Sequence, residues 1–380
     1  QVSACLSRDE IMIAAVSHIL LHLCIASPKR WYNVPSRGIA RITLADLGRK
    51  KKYAAGGIPF VLTDAVPAWN ASRDWSVEWF AEHFGEEIVD YYPNNLHHVG
   101  HPWLKKMHYA LDDVFGSRRA ERRERAAERV AEDGDDGAAY AYVQWRVHLD
   151  AWAALRPTLA PLPAFFKKDL GWMEECLPLR NAARGEALSP DDAWPVDNLV
   201  RHSQWMLIVL GEAGSGMFIH PDGLGTGVWQ AHVVGRKRWI LCEPASRSNL
   251  YAPGEVDAMA PVDTTRFPRF PRAKCNSVIV NPGELLYYPG SWWHQTKCLD
   301  TPTIGFARRT VSRRNYGEVY TWFKEACDFP RDDIRAEFPG ASPPLAQSVC
   351  QSLAMCKELW SRMYAKNATG LPPRRARAEL

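Results

Sequence analysis

The chain has no Cys-x-x-Cys pair and no Cys/His cluster at zinc-binding intervals, although its 380 residues include nine Cys and 12 His. That excludes the zinc-finger and zinc-ribbon classes, and reduced thiols in a nuclear or cytoplasmic protein are the expectation. A long uninterrupted apolar run is also missing. Residues 9–25 begin on two acids and are broken by His18 and His22, so an amphipathic or buried helix is expected there and no membrane span. Neither sign of charge dominates. The 47 Lys and Arg against 43 Asp and Glu leave a net charge of +4, too little to call for a nucleic acid on electrostatic grounds alone. No internal repeat is found, which removes the solenoid and propeller arrays.

What is present is sharper. His220-Pro221-Asp222 is followed 72 residues after Asp222 by His294, inside the run Pro289-Gly290-Ser291-Trp292-Trp293-His294. Two histidines and a carboxylate in this order can hold non-haem Fe(II) on one face and leave the opposite positions open. On an extended strand, residues two apart point the same way, so His220 and Asp222 can reach one metal while Pro221 faces elsewhere. The triplet alone is a weak signal, because a chance His-x-acid is expected about once in a chain of this composition. The chain contains such a decoy, His148-Leu149-Asp150, which leads into a helical pattern where i and i+2 diverge. The surroundings separate the two. Around His220 lie short β-prone runs at 203–210, 226–234, 237–242, 277–280, 284–288, 292–298 and 303–310, cut by Gly and Pro at positions such as Gly211, Gly235, Pro244, Pro282 and Gly290. A tightly turned barrel or jelly roll reads this way.

The stretch from Ile219 to Pro244 (IHPDGLGTGVWQAHVVGRKRWILCEP), with Asn281 to Thr296 (NPGELLYYPGSWWHQT), resembles the Jumonji C family of Fe(II)- and 2-oxoglutarate-dependent oxygenases, most closely its phosphatidylserine-receptor-like hydroxylase branch. The close resemblance runs from Trp205 to Thr310, and a looser one covers Gly57 to Trp69. It implies a mainly β fold with helical additions: a double-stranded β-helix, or cupin-like jelly roll, with α/β elements before it and a helical unit after it. It makes His220, Asp222 and His294 the iron ligands and Lys237 the cation for the distal carboxylate of 2-oxoglutarate. A buried carboxylate needs such a partner; the alternative reading is a surface lysine within Arg236-Lys237-Arg238. Thr226 falls on the Gly-Thr of the branch, and Gln230 stands where it usually carries an Asn near the cosubstrate. Two positions depart from the pattern. Met217 and Ala307 occupy places where hydroxyl residues are expected, and each lost hydrogen bond to a charged group is worth about 1.5–3 kcal/mol. Tyr140 and Tyr142 are the candidate replacements.

The implied organisation is a helical or extended segment at 1–54, a pre-barrel α/β region at 55–137, the barrel at 138–312 and a C-terminal helical region with a basic tail at 313–380. Within it, a helix is expected at 76–84 and strands at 59–63 and 88–92. Residues 117–137 mix Arg and Glu at helical spacing before an Asp/Gly run, the pattern of a solvated helical insertion. Helical periodicity returns at 316–326 and 344–365, where the family often dimerises. Among 16 Trp, Trp31, Trp69, Trp75, Trp79 and Trp103 are expected as aromatic core rather than a methyl-lysine cage. Loops 94–137, 156–200 and 245–275 are the places for substrate selection. Arg247, Arg266, Arg269, Arg272 and Lys274 suit either a solvated rim or contact with an acidic peptide or phosphate backbone. The triplets Asn70-Ala71-Ser72 and Asn367-Ala368-Thr369, and a start on Gln1, keep a secretory or ER-lumen setting open beside the nuclear or cytoplasmic one.

The activity implied is hydroxylation of a protein or peptide side chain, with lysine carbon first, consuming 2-oxoglutarate and O2 and yielding succinate and CO2. The alternatives are N-methyl lysine or arginine demethylation, oxidation of RNA, and a non-catalytic binding scaffold.

Overall fold

The computed structural model describes residues 31–161 and 204–321, apart from 37, 50–52, 54–56, 94–101, 126–139, 253, 311–314, 316 and 320. The helices expected at 9–25 and 344–365, the latter with its dimerisation role, the sequon at Asn367 and the basic tail lie outside the described residues.

Among the described residues the strands in chain order are β1 Trp31–Tyr32, β2 Ala40–Ile42, β3 Phe60–Leu62, β4 Ile88–Tyr92, β5 Trp103–Lys106, β6 Tyr142–Arg146, β7 Met206–Gly211 and β8 Gly216–Pro221. They continue with β9 Gly227–Val234, β10 Lys237–Cys242, β11 Val262–Asp263, β12 Cys275–Val280, β13 Leu285–Tyr288, β14 Trp293–Cys298 and β15 Thr303–Thr310. The helices are α1 Leu44–Arg49, α2 Ala71–Asp74, α3 Val77–Phe84, α4 Met107–Phe115 and α5 Leu149–Leu155. One sheet has the order β2-β3-β13-β9-β15-β7-β6-β4-β5 and faces a second of order β12-β10-β14-β8, with β1-β11 as a small ribbon. This is the expected jelly-roll fold. Strands from the region before the barrel are built into the larger sheet.

Alternation explains the layers. On β10, Trp239 and Leu241 point between the sheets, where they meet Val61, Val228, Val278, Leu286, Tyr288 and Ala307. Ile240 and Cys242 point the other way, under a cover that includes Leu250, Val256, Met259 and Phe270 from the excursion between β10 and β12. On β9, Val228 faces the interior while Trp229, Ala231 and Val233 join an outer core with Phe80, Trp145, Trp152 and Phe306. β9 and β10 are thus buried on both faces, which is why they read as nearly continuous apolar runs. Burying each large side chain is worth roughly 1.5–3 kcal/mol. α3 supplies Phe80 and Phe84 to the outer core, and its first turn is capped by Ser76, whose Oγ accepts from Trp79 N at 3.1 Å. His148 of the decoy triplet caps α5 and meets Glu87 at 2.9 Å, so it has a structural post away from His220.

Three expectations are corrected. Cys242 and Cys275 form a disulfide, with Cα atoms 4.0 Å apart, where reduced thiols were expected. They sit directly opposite one another in the β10–β12 register, and a sequence separation of 33 carries no trace of strand register. Trp31 and Trp103 are 56% and 53% exposed, not core, because they lie on a short ribbon and on the edge strand β5. The Arg-rich insertion is not merely solvated. From helical residues 119–125, Arg119 and Arg123 approach Glu212 at 3.1 and 2.9 Å and Arg122 also pairs with it, while Ala141 N donates to the same carboxylate at 2.8 Å. Glu212 is fully buried, and a buried carboxylate must gather cations and donors.

Two predictions follow from these contacts. Glu212→Ala leaves three arginines converging on a void and should cost about 3–5 kcal/mol in urea unfolding; a loss below 1 kcal/mol would show that the clamp is ornamental. A linked Cys242–Cys275 peptide should appear in unreduced tryptic digests, and Cys242→Ser should lower stability by about 2–4 kcal/mol.

Candidate metal centre

β8 and β14 run antiparallel with His220 directly opposite His294 and Pro221 opposite Trp293. That register brings the two imidazoles together, ring centroids 4.3 Å apart. Gly216 lets the strands close up, since a Cβ there would lie 1.9 Å from Thr296 O. Asp222 follows β8, and the chain then turns through Leu224 (φ 67°) and Gly225 (φ 64°), so its carboxylate folds back beside the rings. Oδ2 of Asp222 lies 3.9 Å from Nε2 of His294. One donor atom from each of the three residues lies within 4.8 Å of the others.

Each ring is aimed by its own strand. Nδ1 of His220 meets Phe218 O at 2.7 Å and Nδ1 of His294 meets Trp292 O at 3.2 Å. A carbonyl only accepts, so the Nδ1 atoms carry the protons and the Nε2 lone pairs face the centre. Burial and the neighbouring His220 push His294 down to about 4, against the pull of Asp222, so the ring is neutral at physiological pH. Burial would raise Asp222, but His294, Arg309, His220 and the Tyr288 hydroxyl outweigh it and hold the carboxyl at about 2. One carboxylate and two imidazole nitrogens make a donor set suited to a divalent cation such as Fe(II).

Further residues brace this group. Tyr288 on β13 donates to Asp222 Oδ2 at 2.7 Å. Arg309 on β15 donates to Gly223 O at 2.9 Å and to Thr226 Oγ1 at 2.8 Å. Thr226, a candidate for cosubstrate binding, is therefore engaged in fixing the loop after Asp222.

Lys237 is 1% exposed, inside the barrel. Its Nζ donates to Tyr142 Oη at 2.5 Å and lies 5.5 Å from the centre of the Trp239 ring. Burial lowers its pKa, with Cys298 opposing. Among the described residues no carboxylate pairs with it. Trp239 also touches His294, at 5.7 Å between rings, so the lysine and the metal cluster share one indole. Gln230 is buried, and its Nε2 has no partner among the described residues. Of the two candidate tyrosines, Tyr142 joins Lys237, whereas Tyr140 packs against Gly214 and Arg123. Tyr140 is thus not brought to the group, because β6 begins only at Tyr142. Met217 packs with Tyr142 and Cys298, and Ala307 faces the interior opposite Gln230, so neither offers a hydroxyl.

Tyr288, Arg309, Thr296 and Cys298 were not singled out from sequence. Strand parity is the signal that would have found them: Thr296 and Cys298 follow His294 by two and four residues, and Arg309 follows Ala307 by two.

The wild-type protein should bind one Mn(II) or Fe(II) in anaerobic titration calorimetry, and His220→Ala, Asp222→Ala or His294→Ala should abolish it. Tyr288→Phe should weaken binding by about 10-fold, as loss of a partner that orients a ligand does. Equal affinity in Asp222→Ala would place the metal elsewhere.

A family model described as "Cupin-like domain" matches residues 47–325. Among curated relatives, the chain is 31% identical over 115 residues to "HSPB1-associated protein 1" of Homo sapiens, covering 27% of this chain and 23% of that protein. It is 24% identical over 265 residues to "Bifunctional arginine demethylase and lysyl-hydroxylase psr-1" of Caenorhabditis briggsae, covering 64% and 54%. It is 28% identical over 122 residues to "Arginine-specific demethylase JMJ20" of Arabidopsis thaliana, covering 31% and 26%. The matches thus span from about a quarter to about half of the length of these relatives. With the jelly roll, the His-x-Asp…His group and a family match over most of its length, the chain belongs to the cupin-like domain family, in its Jumonji C branch.

Proposed function

We propose that the protein is an Fe(II)- and 2-oxoglutarate-dependent dioxygenase that hydroxylates a C–H bond of a protein or peptide side chain, lysine in the first instance. The observation that carries this reading is a three-residue metal donor set sharing its barrel with a buried lysine that has no acidic partner among the described residues. The residues fit the cofactors. His220, Asp222 and His294 would hold the iron, and Lys237 with Tyr142 would take the distal carboxylate of 2-oxoglutarate. Bound iron and cosubstrate supply the oxidation: O2 is divided between succinate, formed with loss of CO2, and the new hydroxyl group.

The chain's own part is orientation and exclusion of water. Tyr288 fixes the angle of Asp222, and Arg309 with Thr226 holds the loop that follows it. Trp239 walls the space between His294 and Lys237, so the charges there interact in a medium far less polar than water. The unpartnered amide of Gln230 is available to the cosubstrate.

A second reading, removal of an N-methyl group from lysine or arginine, rests on relatives named as arginine demethylases. Chemically it is the same hydroxylation, placed on an N-methyl carbon whose product loses formaldehyde. For the setting, the Cys242–Cys275 bond favours an oxidising compartment over the nucleus or cytosol, where thiols are kept reduced.

The test loads the protein anaerobically with Fe(II) and 2-oxoglutarate, admits O2 and measures succinate. Formation in the wild type should fall at least about 10-fold in Lys237→Ala, which loses a charge-assisted contact, and vanish in His220→Ala. Mass spectrometry of peptide substrates then separates gain of one oxygen from loss of a methyl group. Iron bound with no succinate, with or without peptides, would sink the proposal.

A further inference from the structure

β9 directs Val228, Gln230 and His232 into the barrel, as alternation from the interior Val228 requires. His232 is completely buried. Its Nε2 lies 3.3 Å from Nε1 of Trp239. An indole nitrogen only donates, so Nε2 is the accepting nitrogen and the neutral ring must carry its proton on Nδ1. That Nδ1 has no hydrogen-bond partner among the described residues. Glu284, whose carbonyl accepts from His232 N, has its carboxylate taken by Arg41 and Asn281, so it does not serve the ring. Burial, then the charge of Lys237, lowers the pKa of the ring and keeps it neutral, and Trp239 links the two residues, its Nε1 at His232 and its ring centre 5.5 Å from Lys237 Nζ.

A second unpartnered donor stands beside it, Nε2 of Gln230. The facing strand comes close at this point. Gly305 on β15 is opposite His232, and a Cβ there would lie 2.9 Å from Ala231 O and 3.1 Å from Gln230 Nε2, so only glycine lets β15 lie against the strand that carries both donors. Lys237 completes the set: one cation and two N–H donors without partners among the described residues, all buried. Unmet donors in a low-polarity interior are costly, and a ligand rich in acceptor oxygens relieves all of them together.

We propose that His232 is a cosubstrate-binding residue whose Nδ1–H, together with the Gln230 amide, donates to the distal carboxylate held by Lys237. These donors take the place of the hydroxyls that Met217 and Ala307 do not provide. The inference rests on the 2-oxoglutarate reading above and deepens it: the pocket selects 2-oxo acids carrying a second carboxylate.

The experiment is anaerobic titration calorimetry on the Mn(II)-loaded protein, comparing 2-oxoglutarate with pyruvate, a 2-oxo acid that lacks the distal carboxylate. His232→Leu should weaken 2-oxoglutarate about 10-fold, the loss of one hydrogen bond to a charged group, and leave pyruvate unchanged. His232→Asn, which restores an N–H donor, should recover part of the loss. Gln230→Leu should also weaken 2-oxoglutarate alone, by removing the second donor. Equal 2-oxoglutarate affinity in His232→Leu and wild type, or equal weakening of both acids, overturns the role of His232. If His232→Leu no longer binds Mn(II), Gln230→Leu decides, and unchanged 2-oxoglutarate binding there overturns the proposal. A wild type that binds Mn(II) but neither acid defeats the cosubstrate reading itself, a result distinct from both.

Discussion

The structure turns on the pairing of β8 with β14. Only one antiparallel register sets His220 against His294, and a slip of a single residue would send one of the rings to the outer face. Much of the surrounding architecture keeps that register. Gly216 admits the close approach of β14, β10 pairs along the other edge of β14 from Lys237 to Cys242, and the disulfide ties β10 to β12 beyond it.

The interior that results is unusual in carrying formal charge among aromatic rings. Asp222 is held as a carboxylate against the cost of burial, with the Arg309 charge and the Tyr288 hydroxyl in its favour. Lys237 meets a phenol and an indole face, with no carboxylate paired to it among the described residues. An apolar barrel would be easier to fold, so the burial of a lysine, an arginine and an acid in one chamber marks a place where stability has been given up for a site. Glu212 shows the other use of buried charge. Its three arginines and the Ala141 amide anchor the charged helix to the start of β6, the strand that delivers Tyr142 to Lys237.

Much of the barrel was legible. β10 and β15 begin and end at the residues that alternation and turn signals indicate, because strands buried on both faces leave an unbroken apolar record between Gly and Pro. His220, Asp222 and His294 could be picked out because the surrounding motif is dense, and Lys237 shares strand parity with Trp239 and Leu241, which the structure turns inward. What stayed hidden depends on pairings between distant segments. Cys242 and Cys275 meet through register, Arg119, Arg122 and Arg123 meet Glu212 across about 90 residues, and the tautomer of His232 depends on an indole across the barrel. Trp31 and Trp103 misled for the converse reason: composition marks them as core, but an edge position leaves them exposed.

The covalent bond at the ends of β10 and β12 has a consequence for how this domain can diversify. Cys242 and Cys275 close off the excursion that runs between the two strands, so its ends are held in place whatever its middle does. Lengthening a loop whose ends are already joined costs little, since closure entropy grows only with the logarithm of length. Added length between Pro244 and Lys274 would therefore cost the sheet little, so long as Leu250, Val256, Met259 and Phe270 keep their places over Ile240 and Cys242.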